Sequence, residues 1–151
     1  MAELKERLRA DLNAAMRARD QVRMRTLRMT LTSITNEEVA GAAARDLTDD
    51  EVLKVLTREA RKRREAAEAF SAAGRDDRAA AERAEGEVLA GYLPAQLSDD
   101  ELAALVAAAI AETGAAGLPG MGQVMKTVTP RVAGRADGAR VAAEVRRRLS
   151  G

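Results

Sequence analysis

Neither cysteine nor histidine occurs in these 151 residues, tryptophan is missing too, and Phe70 and Tyr92 are the only aromatic side chains. Without cysteine there is no disulfide framework and no thiolate zinc site, and any redox compartment remains open. Without histidine the usual general base and the commonest metal ligand are gone. Two aromatics make no stacking platform for unpaired bases, so any RNA recognition would have to address backbone and shape. No apolar run approaches the ~18 residues of a spanning helix. The start, MAELKERLRADL, lacks the apolar stretch of a signal peptide. The expected compartment is the cytoplasm, with no membrane partner.

What is there is alanine and charge. Hydrophobic residues make up 46% of the chain and charged ones 32%. The hydrophobic ones are nearly all Ala, Leu, Val and Met. Alanine has the best helix propensity and loses no side-chain entropy, so the chain reads as all-α. The net charge of +1 is unevenly spread. Residues 1–97 balance, with 18 basic and 18 acidic side chains. Residues 98–113 carry Asp99, Asp100, Glu101 and Glu112 and no base, net −4. Residues 114–151 carry seven bases against Asp137 and Glu144, net +5. A basic tail points to an anionic partner, with a solvated helix end as the plainer alternative.

Apolar periodicity places a first helix over 2–18, with Leu4, Leu8, Leu12, Ala15 and Met16 on its stripe. Asp20 caps a second, with Met24, Leu27, Leu31 and Ile34 inward and a dense basic neighbourhood of Arg17, Arg19, Arg23, Arg25 and Arg28. After a loop at 41–47, Thr48 to Glu51 form a capping box for a helix from Asp49 to Ala72. Its expected inner face is Leu53, Leu56, Ala60, Ala67 and Phe70, and Gly74 suits the left-handed position beyond its end. A fourth helix starts at Asp76 or Asp77 and uses Ala81, Ala84, Val88 and Tyr92. Pro94 marks a boundary.

Beyond it, Ser98 to Glu101 repeat the capping box, and Leu102, Leu105, Val106, Ala109 and Ile110 follow at helical spacing up to Gly114. The loop GLPGMG leads into Met121, Val124, Met125, Val128 and Val132, a helix expected to end or kink at Pro130. Gly134 then ends that helix and Asp137 caps the last, with Val141, Val145 and Leu149 inward and Arg135 left in the turn.

Chemistry is sparse. Lys5, Lys54, Lys62 and Lys126 are the only lysines, and none stands in a Ser-x-x-Lys arrangement. Glu37-Glu38 and Asp49-Asp50 lie at helix ends, where capping accounts for them, and no metal set is legible. There is no phosphate loop; GLPGMG has no strand before it, although the amides near Met121 could face an anion. Arg58, Arg61, Lys62, Arg63 and Arg64 alternate with Glu59, Glu65 and Glu68 as on an exposed, ion-paired helix. Arg146-Arg147-Arg148 suit either a helix C-terminus or nucleic-acid contact.

Taken together, AGRDD around Arg75, EVLAGYLPAQLS, and MGQVMK followed by PRVAGRADG resemble the GatB/YqeY family in its free-standing YqeY-like form, over nearly the whole chain. The resemblance implies an N-terminal helical domain, here four helices over 1–93, and a small three-helix domain over 94–151. The related domain is the tail of the B subunit of the glutamyl/aspartyl-tRNA amidotransferase, where it recognises the tRNA body and takes no part in the chemistry. The implied RNA-facing residues are Lys126, Arg131, Arg135, Arg140, Arg146, Arg147 and Arg148, around a signature turn of Gly134, Asp137 and Gly138. The expected function is non-catalytic binding of tRNA or another structured RNA, with no cofactor or metal. A helical protein-interaction module is one alternative. Another is amidotransferase-associated activity, carbon–nitrogen ligation with glutamine as amido donor, in complex with other subunits.

Overall fold

The computed structural model describes residues 2–151, and among them there are seven α-helices and no strand. The chain falls into two compact units, Met1–Leu93 and Pro94–Gly151.

The first unit holds α1 (Glu3–Ala18), α2 (Gln21–Glu38), α3 (Asp49–Ala72) and α4 (Asp76–Ala90). α1 and α2 form an antiparallel hairpin, since Lys5 near the start of one bonds Glu38 at the end of the other, 2.6 Å apart. The joint is two residues long. Arg19 sits in the left-handed region at φ 58° and ψ 34°, a conformation that costs a residue with a Cβ roughly 1–2 kcal/mol. Asp20 then accepts a hydrogen bond from the Arg23 amide at 3.1 Å and starts α2. Thr48 and Glu51 form the reciprocal capping box of α3.

The core gathers Leu8, Leu27, Ile34, Leu47, Val52, Val55, Leu56, Leu89 and Tyr92. α3 and α4 turn inward differently from the apolar-stripe expectation. On α3 the buried set is Val52, Val55, Leu56, Glu59, Arg63 and Ala67, while Leu53, Ala60 and Phe70 are only half-buried. On α4 the buried set is Ala79, Glu85 and Leu89, and Ala81 is exposed. The cause is polar: Arg63 donates to Glu59 at 3.2 Å and lies 3.3 Å from Glu85, so a charged seam runs down the middle of the inner face. Glu59 and Arg63, expected on a solvated face, are 5% and 7% exposed. Met16, expected inside, is 47% exposed.

The second unit holds α5 (Asp99–Thr113), a short 3₁₀ turn (Leu118–Gly120), α6 (Met121–Val132) and α7 (Gly138–Ser150). Ser98 caps α5 reciprocally with Glu101, and Gly114 closes it at φ 69°. Leu102, Val106 and Ala109 of α5 meet Val124, Val128 and Val132 of α6 and Val141, Val145 and Leu149 of α7. Pro130 does not stop α6, which runs on to Val132. Pro130 has no N–H to donate to the Lys126 carbonyl, four residues back, and the helix ends two residues after it.

Candidate nucleic-acid interface

The joint between α6 and α7 is built from its ends inward. Ala133 and Gly134 both take left-handed angles, at φ 51° and φ 77°, and reverse the chain within two residues. Ala133 is the first residue past the helix, so the reversal begins one position before the glycine. The Arg135 amide donates back to the Val132 carbonyl at 3.0 Å. The Arg135 carbonyl accepts from the Leu97 amide at 2.7 Å, tying the joint to the segment that leads into α5. Ala136 is buried, and the Asp137 carboxylate accepts from the Arg140 amide at 3.0 Å to start α7. Gly138 is the first residue of α7, and a Cβ there would meet nothing within 4 Å. Helix capping therefore accounts for Asp137, and chain reversal for Gly134.

The seven basic residues around this joint divide by what they touch. Arg135 is half-buried; its guanidinium donates to the carbonyls of Val132 at 3.3 Å and Arg131 at 3.4 Å, closing the last turn of α6. Arg131 pairs with Glu112 at 2.6 Å and Arg140 with Asp99 at 2.8 Å. Arg147 grips Glu144 with two hydrogen bonds, at 3.1 and 2.7 Å, and Arg148 adds a third at 2.9 Å. The Arg147 hydrogen bonds hold the Glu144 carboxyl below the usual carboxylate range, against some desolvation and with help from Arg148. Among the described residues, Lys126 and Arg146 make no side-chain hydrogen bond or ion pair, and both are exposed.

The acidic run of α5 thus reaches the basic tail through Asp99 and Glu112. Over Pro94–Gly151 as a whole, seven bases face six acids. The +5 of the tail is largely spent inside its own unit. Beside it, Ala107, Ile110, Ala111, Arg147, Arg148 and Gly151 line a shallow groove of about 430 Å³.

The charged seam of the first unit escaped the sequence reading. Ser33 donates to Glu59 at 2.7 Å, Arg25 donates to Glu85 at 3.0 Å, and Arg63 stands between the two carboxylates. The Glu59 carboxyl is held below its ordinary value: burial raises it, but Ser33, Lys62 and Arg63 together outweigh that. Glu38 is lowered too, first by the Lys5 hydrogen bond, against burial. A signal existed, since Glu59 and Arg63 stand at i+3 and i+7 from Leu56, on its own stripe. Among the described residues no cluster of carboxylates could hold a metal ion. Nor is any single helix long and apolar enough to cross a membrane.

Comparison with known proteins adds two findings. The family model described as Yqey-like protein matches residues 5–149. Altered inheritance of mitochondria protein 41, mitochondrial, from Clavispora lusitaniae (strain ATCC 42720), is 34% identical over 97 residues, covering 63% of this chain and 55% of that protein. The chain therefore spans little more than half the length of that curated relative.

Proposed function

The chain belongs to the YqeY-like protein family, and from that membership we propose that it is a non-catalytic helical protein that binds tRNA or another structured RNA. Membership supports a helical protein akin to the amidotransferase tail. On this reading the four helices of 1–93 form one domain, and the three of 94–151 form a GatB/YqeY-type domain that meets the RNA. The cytoplasm is the proposed compartment.

One observation carries the proposal: Lys126 on α6 and Arg146 on α7 are exposed cations with no internal partner, on the two helices that flank the joint. Phosphate contact needs charges of that kind. Arg131, Arg140, Arg147 and Arg148 are available at small expense, because exposed ion pairs contribute only about 0–1 kcal/mol and can be exchanged for phosphate. Arg135 is the exception, since its guanidinium closes α6.

The test is binding of bulk tRNA at low salt to the wild type, Lys126→Ala/Arg146→Ala and Arg135→Ala. Charge-assisted hydrogen bonds contribute about 1.5–3 kcal/mol when sheltered, so two exposed ones should cost the double variant about tenfold in affinity. Arg135→Ala should lower stability and leave affinity within about twofold of the wild type. A double variant that binds as tightly as the wild type removes the basis of the proposal.

The groove beside Ile110 favours a second reading, a protein-interaction module. It predicts salt-tolerant binding, lost on substitution of Ala107 or Ala111 by a charged residue.

A further inference from the structure

The basic neighbourhood of the α1–α2 joint has no part in the site above, and three of its five arginines stand apart from the rest of their unit. Most cations of Met1–Leu93 are engaged. Arg7 lies 4.8 Å over the Tyr92 ring, Arg23 donates to the Tyr92 hydroxyl, Arg25 holds Glu85, and Arg45 holds Glu51. Arg58, Arg61 and Arg75 have carboxylates within 4 Å, and Arg78 lies over the Phe70 ring. Among the described residues of this unit, only Arg17, Arg19, Arg28, Lys54 and Arg83 have no side-chain partner. Three of these five lie on the α1–α2 hairpin, two of them at its tip. Arg17 is in the last turn of α1, Arg19 is the joint itself, and Arg28 lies about 10 Å along α2 from its start. All three are exposed.

Two further observations separate this tip from an ordinary solvated face. The first is the backbone at Arg19. Where α3 and α5 reverse, the chain places Gly74 and Gly114 at positive φ, and where α6 reverses it places Ala133 followed by Gly134, but at this joint it places an arginine with no glycine beside it. Glycine would remove the steric cost that the Arg19 backbone bears, so the arginine stands there against local conformational preference. The second is the distribution of charge along α1. Of the five arginines in residues 17–28, Arg23 and Arg25 face Asp11 and Glu85, which leaves Arg17, Arg19 and Arg28 against Asp20. Residues 46–51, by contrast, carry Asp46, Asp49, Asp50 and Glu51, of which only Glu51 is paired, with Arg45. The Leu4 amide donates to Asp49 at 3.0 Å, which puts that acidic run at the opposite end of α1 from Arg17 and Arg19. A unit of zero net charge is thereby polarised along a helix of about 24 Å. Such a field orients an approaching polyanion toward one end.

Guanidinium groups present planar forks that match phosphate oxygens. The tip exposes no aromatic side chain, since Tyr92 against Arg23 is buried, and Met29 is committed to Arg63, its sulfur 4.0 Å from the guanidinium. Met16 alone is too little apolar surface to anchor a helix in lipid. We propose that Arg17, Arg19 and Arg28 form a second phosphate-contacting surface, on the first unit, for the same structured RNA. The inference rests on the RNA reading above and extends it from one unit to both.

The experiment compares wild type, Arg17→Gln/Arg19→Gln/Arg28→Gln and Lys126→Ala/Arg146→Ala in tRNA binding across a salt series, with thermal unfolding of each. The first variant should keep the wild-type melting temperature and lose about 2 to 3 from the slope of log affinity against log salt, near 0.9 per phosphate contact. Arg19→Gly should melt no lower than wild type and bind more weakly. If the slope falls only in the Lys126/Arg146 variant, the second surface is refuted and the RNA reading stands. If the wild type does not bind tRNA, both fall. Binding to phosphatidylserine vesicles but not to tRNA would overturn the inference in favour of a membrane surface.

Discussion

Replacing Arg63 with alanine is expected to destabilise the protein by about 3 kcal/mol, the lower end of the range for removing one partner from a buried ion pair. Arg63 is 7% exposed, between Glu59 at 5% and Glu85 at 7%. Taking it away leaves two carboxylates facing an emptied space in the core. Ser33 and Lys62 still hold Glu59, and Arg25 still holds Glu85. Those partners keep the loss from the upper end. For a chain of this length the melting temperature should drop by about 6–12 °C. Arg63→Met combined with Glu59→Gln and Glu85→Gln should recover most of it, because no charge is then left buried and unpaired. A loss below about 0.5 kcal/mol, the ordinary surface value, would mean that the seam is solvated and holds nothing together.

Raising the pH tests a different part of the first unit. The Tyr92 hydroxyl donates to Asp11 at 2.5 Å and accepts from Arg23 at 3.1 Å, and the residue is 6% exposed. Burial first, and then the Asp11 hydrogen bond, push the phenol up to about 12 from an ordinary 10. The folded state therefore holds the proton more tightly than the unfolded state. The resulting stability is fully present below pH ~10 and is lost as pH rises toward ~12, in total about 2–3 kcal/mol at 1.36 per unit. Tyr92 is the only tyrosine and there is no tryptophan, so phenolate absorbance reads this one group. Its midpoint should lie near 12 while circular dichroism stays native. A midpoint near 10 with the fold intact would contradict the buried geometry. Tyr92→Phe should lack this share of the alkaline stability loss.

Tyr92 also shows where sequence reading succeeds and where it stops. Helix ends were legible because their chemistry is local: Thr48 with Glu51, Ser98 with Glu101, Asp20, Asp137, and the left-handed Gly74 and Gly114 are all set within a few residues. The all-α class and the inner faces of α6 and α7 followed from apolar spacing, since the valines and leucines there pack into an entirely apolar cluster. α3 and α4 were misjudged because their shared face is polar, and whether Glu59 and Arg63 are buried depends on Ser33 arriving from α2 and Glu85 from α4. For the candidate interface, the sequence supplied seven basic residues but not their partners. That Arg131 spends its charge on Glu112, 19 residues away, and Arg135 on carbonyls of its own helix, is a fact of packing. Lys126 and Arg146 stand out only after that subtraction.

The central claim, that this protein holds a structured RNA by its phosphates, is tested most directly by the salt dependence of wild-type binding to bulk tRNA. With contacts from Lys126 and Arg146 alone the log–log slope should be about −2, with Arg17, Arg19 and Arg28 as well about −4.5, and with the four exchangeable arginines of the second unit also engaged about −8. A slope in that range carries the account. A slope near zero, or no binding even at low salt, contradicts it.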